Sequence, residues 1–145
     1  MEIKAFKAYR FKAETVGNPG DCIAPPYDVI DSSMQDELYR RNQYNIVRAI
    51  KGTSEAGDTA GNNVYTRAAS YLDATVKAGA LKQEGNDAIY AYIQDFEIAG
   101  QSFERSGIIA CGKLKAFGEG VQPHEKTLEG PKADRLNLTR ATGCQ

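Results

Sequence analysis

Ala88-Ile89-Tyr90-Ala91-Tyr92-Ile93-Gln94-Asp95-Phe96-Glu97-Ile98, then Ala99-Gly100-Gln101-Ser102, then Phe103-Glu104-Arg105-Ser106-Gly107-Ile108-Ile109 is the stretch whose reading decides the fold. The first part alternates. Tyr90, Tyr92, Phe96 and Ile98 share one face, interrupted by Gln94, and Ile89, Ala91 and Ile93 share the other. Apolar residues on both faces predict a sheet partly covered on each side. Gly100 supplies the positive φ that a tight hairpin turn needs. A return strand is expected from Phe103 to about residue 117, with Gly107 and Gly112 marking a bulge or a close backbone approach.

Working outward, helices flank this hairpin. Val64, Ala68, Tyr71, Leu72 and Thr75 fall at i, i+4, i+7, i+8 and i+11, one buried stripe of a helix over 62–79. Asp31-Ser32-Ser33 starts another, with Ser32 and Gln35 as a capping box, running to about Asn42 with Met34 and Leu38 inward. A third is expected from Pro131 to Thr142. Leu136, Leu138 and Ala141 do not line one face of it, whereas Lys132, Arg135, Thr139 and Thr142 do. Such a helix has partners on several sides, which leads us to expect a chain continuing beyond residue 145. Ile3 to Phe11 reads as a strand, and so does Tyr44 to Ile50. Residues 51–61, rich in Gly, Ser, Thr and Asp, read as a flexible surface loop. The expected fold is α+β: a mixed, mainly antiparallel sheet with a long hairpin and about three flanking helices, in one domain over 1–145.

The 145 residues are 41% hydrophobic and 26% charged, with a formal net charge of −1. So balanced a chain has no uniformly basic surface for nucleic acid. No apolar run is long enough to cross a bilayer, and the first residues lack the apolar core of a secretory signal. Cys22, Cys111 and Cys144 are odd in number and widely spaced, which argues against a disulfide framework or a paired-cysteine zinc site. A cytoplasmic protein with reduced thiols is expected.

Polar chemistry concentrates at Pro123-His124-Glu125-Lys126-Thr127-Leu128-Glu129-Gly130-Pro131-Lys132-Ala133-Asp134-Arg135. It holds the one histidine of the sequence, and Gly130-Pro131 is a good helix start. Amides at a helix N-terminus beside Lys132 and Arg135 suit a phosphate or carboxylate. No zinc-protease helix, Walker loop or nucleophile elbow is present. A second candidate is Pro25-Pro26-Tyr27-Asp28, a stiff loop able to present Tyr27 and Asp28. A third is Tyr44-Asn45-Ile46-Val47-Arg48, with Asn45 and Arg48. The first two regions are expected to approach each other, since neither has an obvious local job.

In order, Ile23-Ala24-Pro25-Pro26-Tyr27-Asp28-Val29-Ile30, Tyr44-Asn45-Ile46-Val47-Arg48, Pro123-His124-Glu125-Lys126-Thr127, Gly130-Pro131-Lys132-Ala133-Asp134-Arg135-Leu136 and Arg140-Ala141-Thr142 resemble the prokaryotic family called domain of unknown function 1015. The resemblance spans nearly the whole chain. It implies the N-terminal portion of a longer protein. Its later part, absent here, is similar to ParB/sulfiredoxin-like proteins, free-serine kinases among them. The leading expectation is part of a phosphate- or nucleotide-handling enzyme, a small-molecule phosphotransferase. In it Lys132 and Arg135 hold phosphate, Glu125 or Asp134 binds Mg²⁺ or takes a proton, and His124 is acid or base. Pro26, Tyr27, Asp28, Asn45, Arg48, Lys126, Thr127 and Arg140 complete the candidate binding set, with a nucleotide as co-substrate. The alternatives are a non-catalytic nucleotide- or DNA-binding regulatory module and an inactive structural half. Apolar surface left bare by a missing part would favour a homodimer.

Overall fold

A computed structural model describes residues 2–116, 118–120, 122 and 128–144. Helices and short antiparallel strands are mixed, so the α+β class stands. Two compact units divide the chain. The first comprises residues 1–9 and 83–126, the second residues 10–82 and 127–145.

In the first unit β4 (Tyr90–Ile98) and β5 (Gln101–Ile109) form the expected hairpin. The register runs without a break from Tyr90 opposite Ile109 to Ile98 opposite Gln101. Gly107 therefore marks no bulge, and nothing lies within 4 Å of where its side chain would project. The turn is the two residues Ala99 and Gly100, with φ of 50° and 77°. Both are positive, as a primed turn requires. β1 (Ile3–Lys4) pairs with β6 (Cys111–Gly112), and Phe6 bridges to Ala88. β2 (Tyr9–Phe11) pairs with β3 (Leu81–Gln83). Among the described residues, short first strands and three two-stranded sheets replace one long first strand and one mixed sheet.

Among the described residues nothing supplies the expected cover on the hairpin. Ile93 is 61% exposed, Ile98 60%, Ile108 65% and Ile109 50%. Tyr90, Tyr92, Phe96, Phe103 and Ile109 lie on one face, where Phe96 and Phe103 stack with ring centres 5.7 Å apart. The other face carries Asp95, Glu97 and Glu104 with no cation, and Asp95 lies directly opposite Glu104.

The core lies in the second unit, which contains every fully buried side chain among the described residues. The long helices are α2 (Ser32–Arg41), α4 (Val64–Lys77) and α5 (Glu129–Thr142), and two single turns are α1 (Ala13–Val16) and α3 (Val47–Ile50). Ile30, Leu38 and Val47 form one cluster with Met34 and Ile50 against it, and Val16, Cys22 and Ala80 form another. α4 buries Ala68 and Thr75, as its stripe predicts, and packs on both α3 and α5.

Three local readings need correction. The cap of α2 is Asp31, whose Oδ1 accepts the Met34 amide at 2.8 Å, not Ser32. Gln35 is drawn away to donate to the Lys51 carbonyl. Residues 44–50 are a turn leading into α3, not a strand. The Asn45 side chain is the reason: Oδ1 accepts the Val47 amide at 2.9 Å, starting a helical turn that β-branched propensity would not choose. Finally, the 51–61 segment is pinned. Arg67 of α4 grips both oxygens of Asp58, at 2.6 and 3.1 Å, and the Thr53 carbonyl at 2.8 Å.

Candidate functional site

The Pro25-Pro26 pair holds the chain extended into a turn closed by the Val29 amide on the Pro26 carbonyl, at 3.1 Å. That turn projects Tyr27 toward α5. The Arg135 guanidinium lies over the Tyr27 ring, 4.0 Å from its centre. Arg135 is spoken for on its other edges. Nε donates to Asp134 Oδ2 at 3.0 Å, Nη2 donates to the same oxygen, and Nη1 donates to the Ile50 carbonyl at 3.1 Å. Asp134 Oδ1 in turn accepts the Tyr65 hydroxyl at 2.9 Å. One guanidinium and one carboxylate thus join the Pro-Pro turn, the end of α3, the start of α4 and the first turns of α5.

These residues edge a half-open cleft of about 380 Å³, within the second unit. Its polar lining is Lys51, Ser54, Tyr65, Asp134 and Arg135, and its apolar lining includes Ile50, Val64, Pro131 and Leu138, with the Tyr27 ring. The size falls in the range of small-molecule sites. Gly130 lines it too, and a side chain there would meet nothing within 4 Å. The N-cap residue of α5, Leu128, offers no side-chain hydrogen bond, so among the described residues no side chain caps the first turn. Pro131, third in the helix, has no N–H, which leaves the amides of Glu129 and Gly130. Gly52 fits because it has no side chain: a Cβ would stand 2.8 Å from Val64 Cγ2.

The other sequence candidates fall elsewhere. Asn45 is fully buried, and its Nδ2 donates to the carbonyls of Asp21 and Ile23 at 2.8 and 3.0 Å. Arg48 caps the end of α2, donating to the Tyr39 and Asn42 carbonyls at 2.6 and 2.8 Å, with its guanidinium 4.5 Å from the Tyr39 ring centre. Both hold backbone. Pro26, Asp28, Lys132 and Arg140 are exposed and do not line the cleft, and Lys132 reaches Glu129 at 3.5 Å. His124, Glu125, Lys126 and Thr127 lie outside the described residues. Lys51, Ser54 and Tyr65 were not singled out from the sequence. Tyr65 had a signal: Tyr65, Ala69 and Leu72 make a second half-buried stripe on α4, as a helix with neighbours on two sides requires.

Burial pushes the Asp134 carboxyl up, but hydrogen bonds from Arg135 and Tyr65 and the charges of Arg135 and Lys51 outweigh it, leaving it below the usual carboxylate range. The Arg67 guanidinium depresses Asp58 in the same way, against a smaller effect of burial. Burial and the bond to Asp134 push the Tyr65 hydroxyl up. A carboxyl depressed in the fold stabilises it above the unfolded pKa, and that contribution is lost as pH falls through the folded value. Stability is therefore expected to fall once pH drops below about 4. The Asp134→Asn variant should show a shallower fall in the same urea titrations at stepped pH. An equally steep acid limb in that variant would show that Asp134 is not linked to folding.

The model of the family described as Protein of unknown function (DUF1015) matches residues 3–145. No curated protein and no solved structure matches the chain. With nearly every residue inside that match, the chain belongs to the DUF1015 family.

Proposed function

We propose that this chain supplies the anion-binding cleft of a phosphate-handling protein, the substrate being a small molecule with a phosphate or carboxylate group. One observation carries the reading: Lys51, Ser54 and the first turn of α5 line a cleft of ligand size, with the Arg135 guanidinium held at its edge. A cation and the amides of a helix start stabilise a bound anion and, in phosphoryl transfer, the charge on the group in flight. A phosphotransferase is the enzyme class this chemistry suits best. Tyr65 and Arg135 occupy the Asp134 oxygens, and no group of three His, Cys, Asp or Glu among the described residues is placed to hold a metal ion. Among the described residues, then, the cleft does not present the carboxylate set that a Mg²⁺ site needs. Duplex DNA is less well served, because the donor edges of Arg135 are bonded within the protein.

The test is calorimetry of the whole chain with pyrophosphate, inorganic phosphate and ATP with Mg²⁺. Saturable binding is expected, and Gly130→Val should weaken it about tenfold or more, because the new side chain enters the cleft where space is open. A Cβ ahead of Pro131 is crowded in helical backbone, so the thermal midpoint is read alongside and binding is compared well below both midpoints. Absence of binding to all of these probes at millimolar concentration would end the reading.

A further inference from the structure

The two cations of the cleft are in opposite states. Arg135 has three edges committed, to Asp134, to the Ile50 carbonyl and to the Tyr27 ring. Lys51 has a fixed backbone and an uncommitted head. Its amide donates to the Val47 carbonyl at 2.8 Å, and its carbonyl accepts from Gln35. Gly52, next in the chain, is pressed against Val64 with no room for a side chain, which sets the Lys51 backbone against the cleft wall. Lys51 lines the cleft, and its ammonium has no hydrogen bond or ion pair to another described residue. Its nearness is felt all the same, since its charge helps hold the Asp134 carboxyl down.

We propose that Lys51 is the residue that grips the ligand's phosphate or carboxylate, and that Arg135 is a positioning residue that locks the Tyr27 turn and the end of α3 against α5. The assignment rests on the cleft reading above. The residue types suit the division. Guanidinium is planar and weakly hydrated, fit for a forked bond to a carboxylate and a stack on a ring, whereas ammonium on a four-carbon stem swings to meet a ligand.

Pyrophosphate binding by calorimetry, with two variants of the whole chain, tests it. Lys51→Met keeps the stem and removes the charge. It should weaken binding about tenfold or more and flatten its salt dependence, with the thermal midpoint unchanged. Tyr65→Phe removes one bond to Asp134. It should lower the midpoint and move the acid limb of pyrophosphate binding to higher pH, because Asp134 then takes a proton more readily and releases Arg135. Lys51, Arg135, Tyr27 and Tyr65 are the charged and titratable groups around that carboxyl. A readout without ligand is the Asp134 carboxyl titration followed by NMR, which should move upward in Lys51→Met. If wild-type binds pyrophosphate and Lys51→Met binds it equally well, the assignment is overturned and the cleft reading stands. An unmoved Asp134 titration in that variant also overturns it. If wild-type binds no probe, the cleft reading itself falls and takes this assignment with it.

Discussion

Asn45→Asp is expected to cost the fold about 3–5 kcal/mol, the range for an uncompensated buried charge. Asn45 is fully buried, and both hydrogens of its amide nitrogen are used, on the Asp21 and Ile23 carbonyls. A carboxylate turns an oxygen toward those two oxygens and cannot donate to either. The bond that survives, from the Val47 amide, does not offset this. The sign with pH is distinctive. The introduced carboxyl has a raised folded pKa, so the destabilisation is full at neutral pH. It shrinks as pH falls and the protonated acid regains one donor. Urea midpoints at neutral and mildly acid pH measure both parts. A variant as stable as wild-type at neutral pH would mean that Asn45 is not the polar centre of this unit. It would also restore Asn45 as a residue free to serve a ligand.

Leu38→Ala is expected to cost about 2–5 kcal/mol. Leu38 is 1% exposed and packs with Ile30 and Val47, so truncation loses the burial of its methyl groups and leaves a void between α2 and α3. Leu114, 96% exposed, is the control: its replacement by alanine should change the midpoint by no more than about 0.5 kcal/mol. Similar losses for the two variants would contradict the location of the core. Because α3 ends at the cleft, Leu38→Ala should also weaken anion binding in proportion to the fraction unfolded.

Periodic segments were legible. The hairpin with its turn at Gly100, the helix ending near Asn42 and the stripe from Val64 to Thr75 follow from alternation, a three-to-four spacing and glycine placement, signals that arise within one segment. What failed depends on partners distant in sequence. Residues 44–50 have strand propensity, yet Asn45 bonds backbone more than twenty residues away and bends the chain into α3. Arg48 resembles a ligand residue until its partners prove to be the carbonyls at the end of α2. The motif residues thus divide: Tyr27, Asp134 and Arg135 meet at the cleft, whereas Asn45 and Arg48 brace backbone away from its lining. Lys51 was passed over because it opens a stretch of loop composition, and composition does not show that Arg67 ties that stretch down.

The unlike faces of the hairpin bear on how copies of the chain meet. An exposed ribbon rich in isoleucine and aromatic rings is the kind of segment that seeds stacked β-aggregates. Stacking in register would set Asp95 and Glu104 of each copy against the same carboxylates of the next, at a spacing of about 5 Å, with no cation on that face to intervene. The acidic tip thus acts as a gatekeeper, leaving the ribbon's apolar side bare while opposing its growth into fibres.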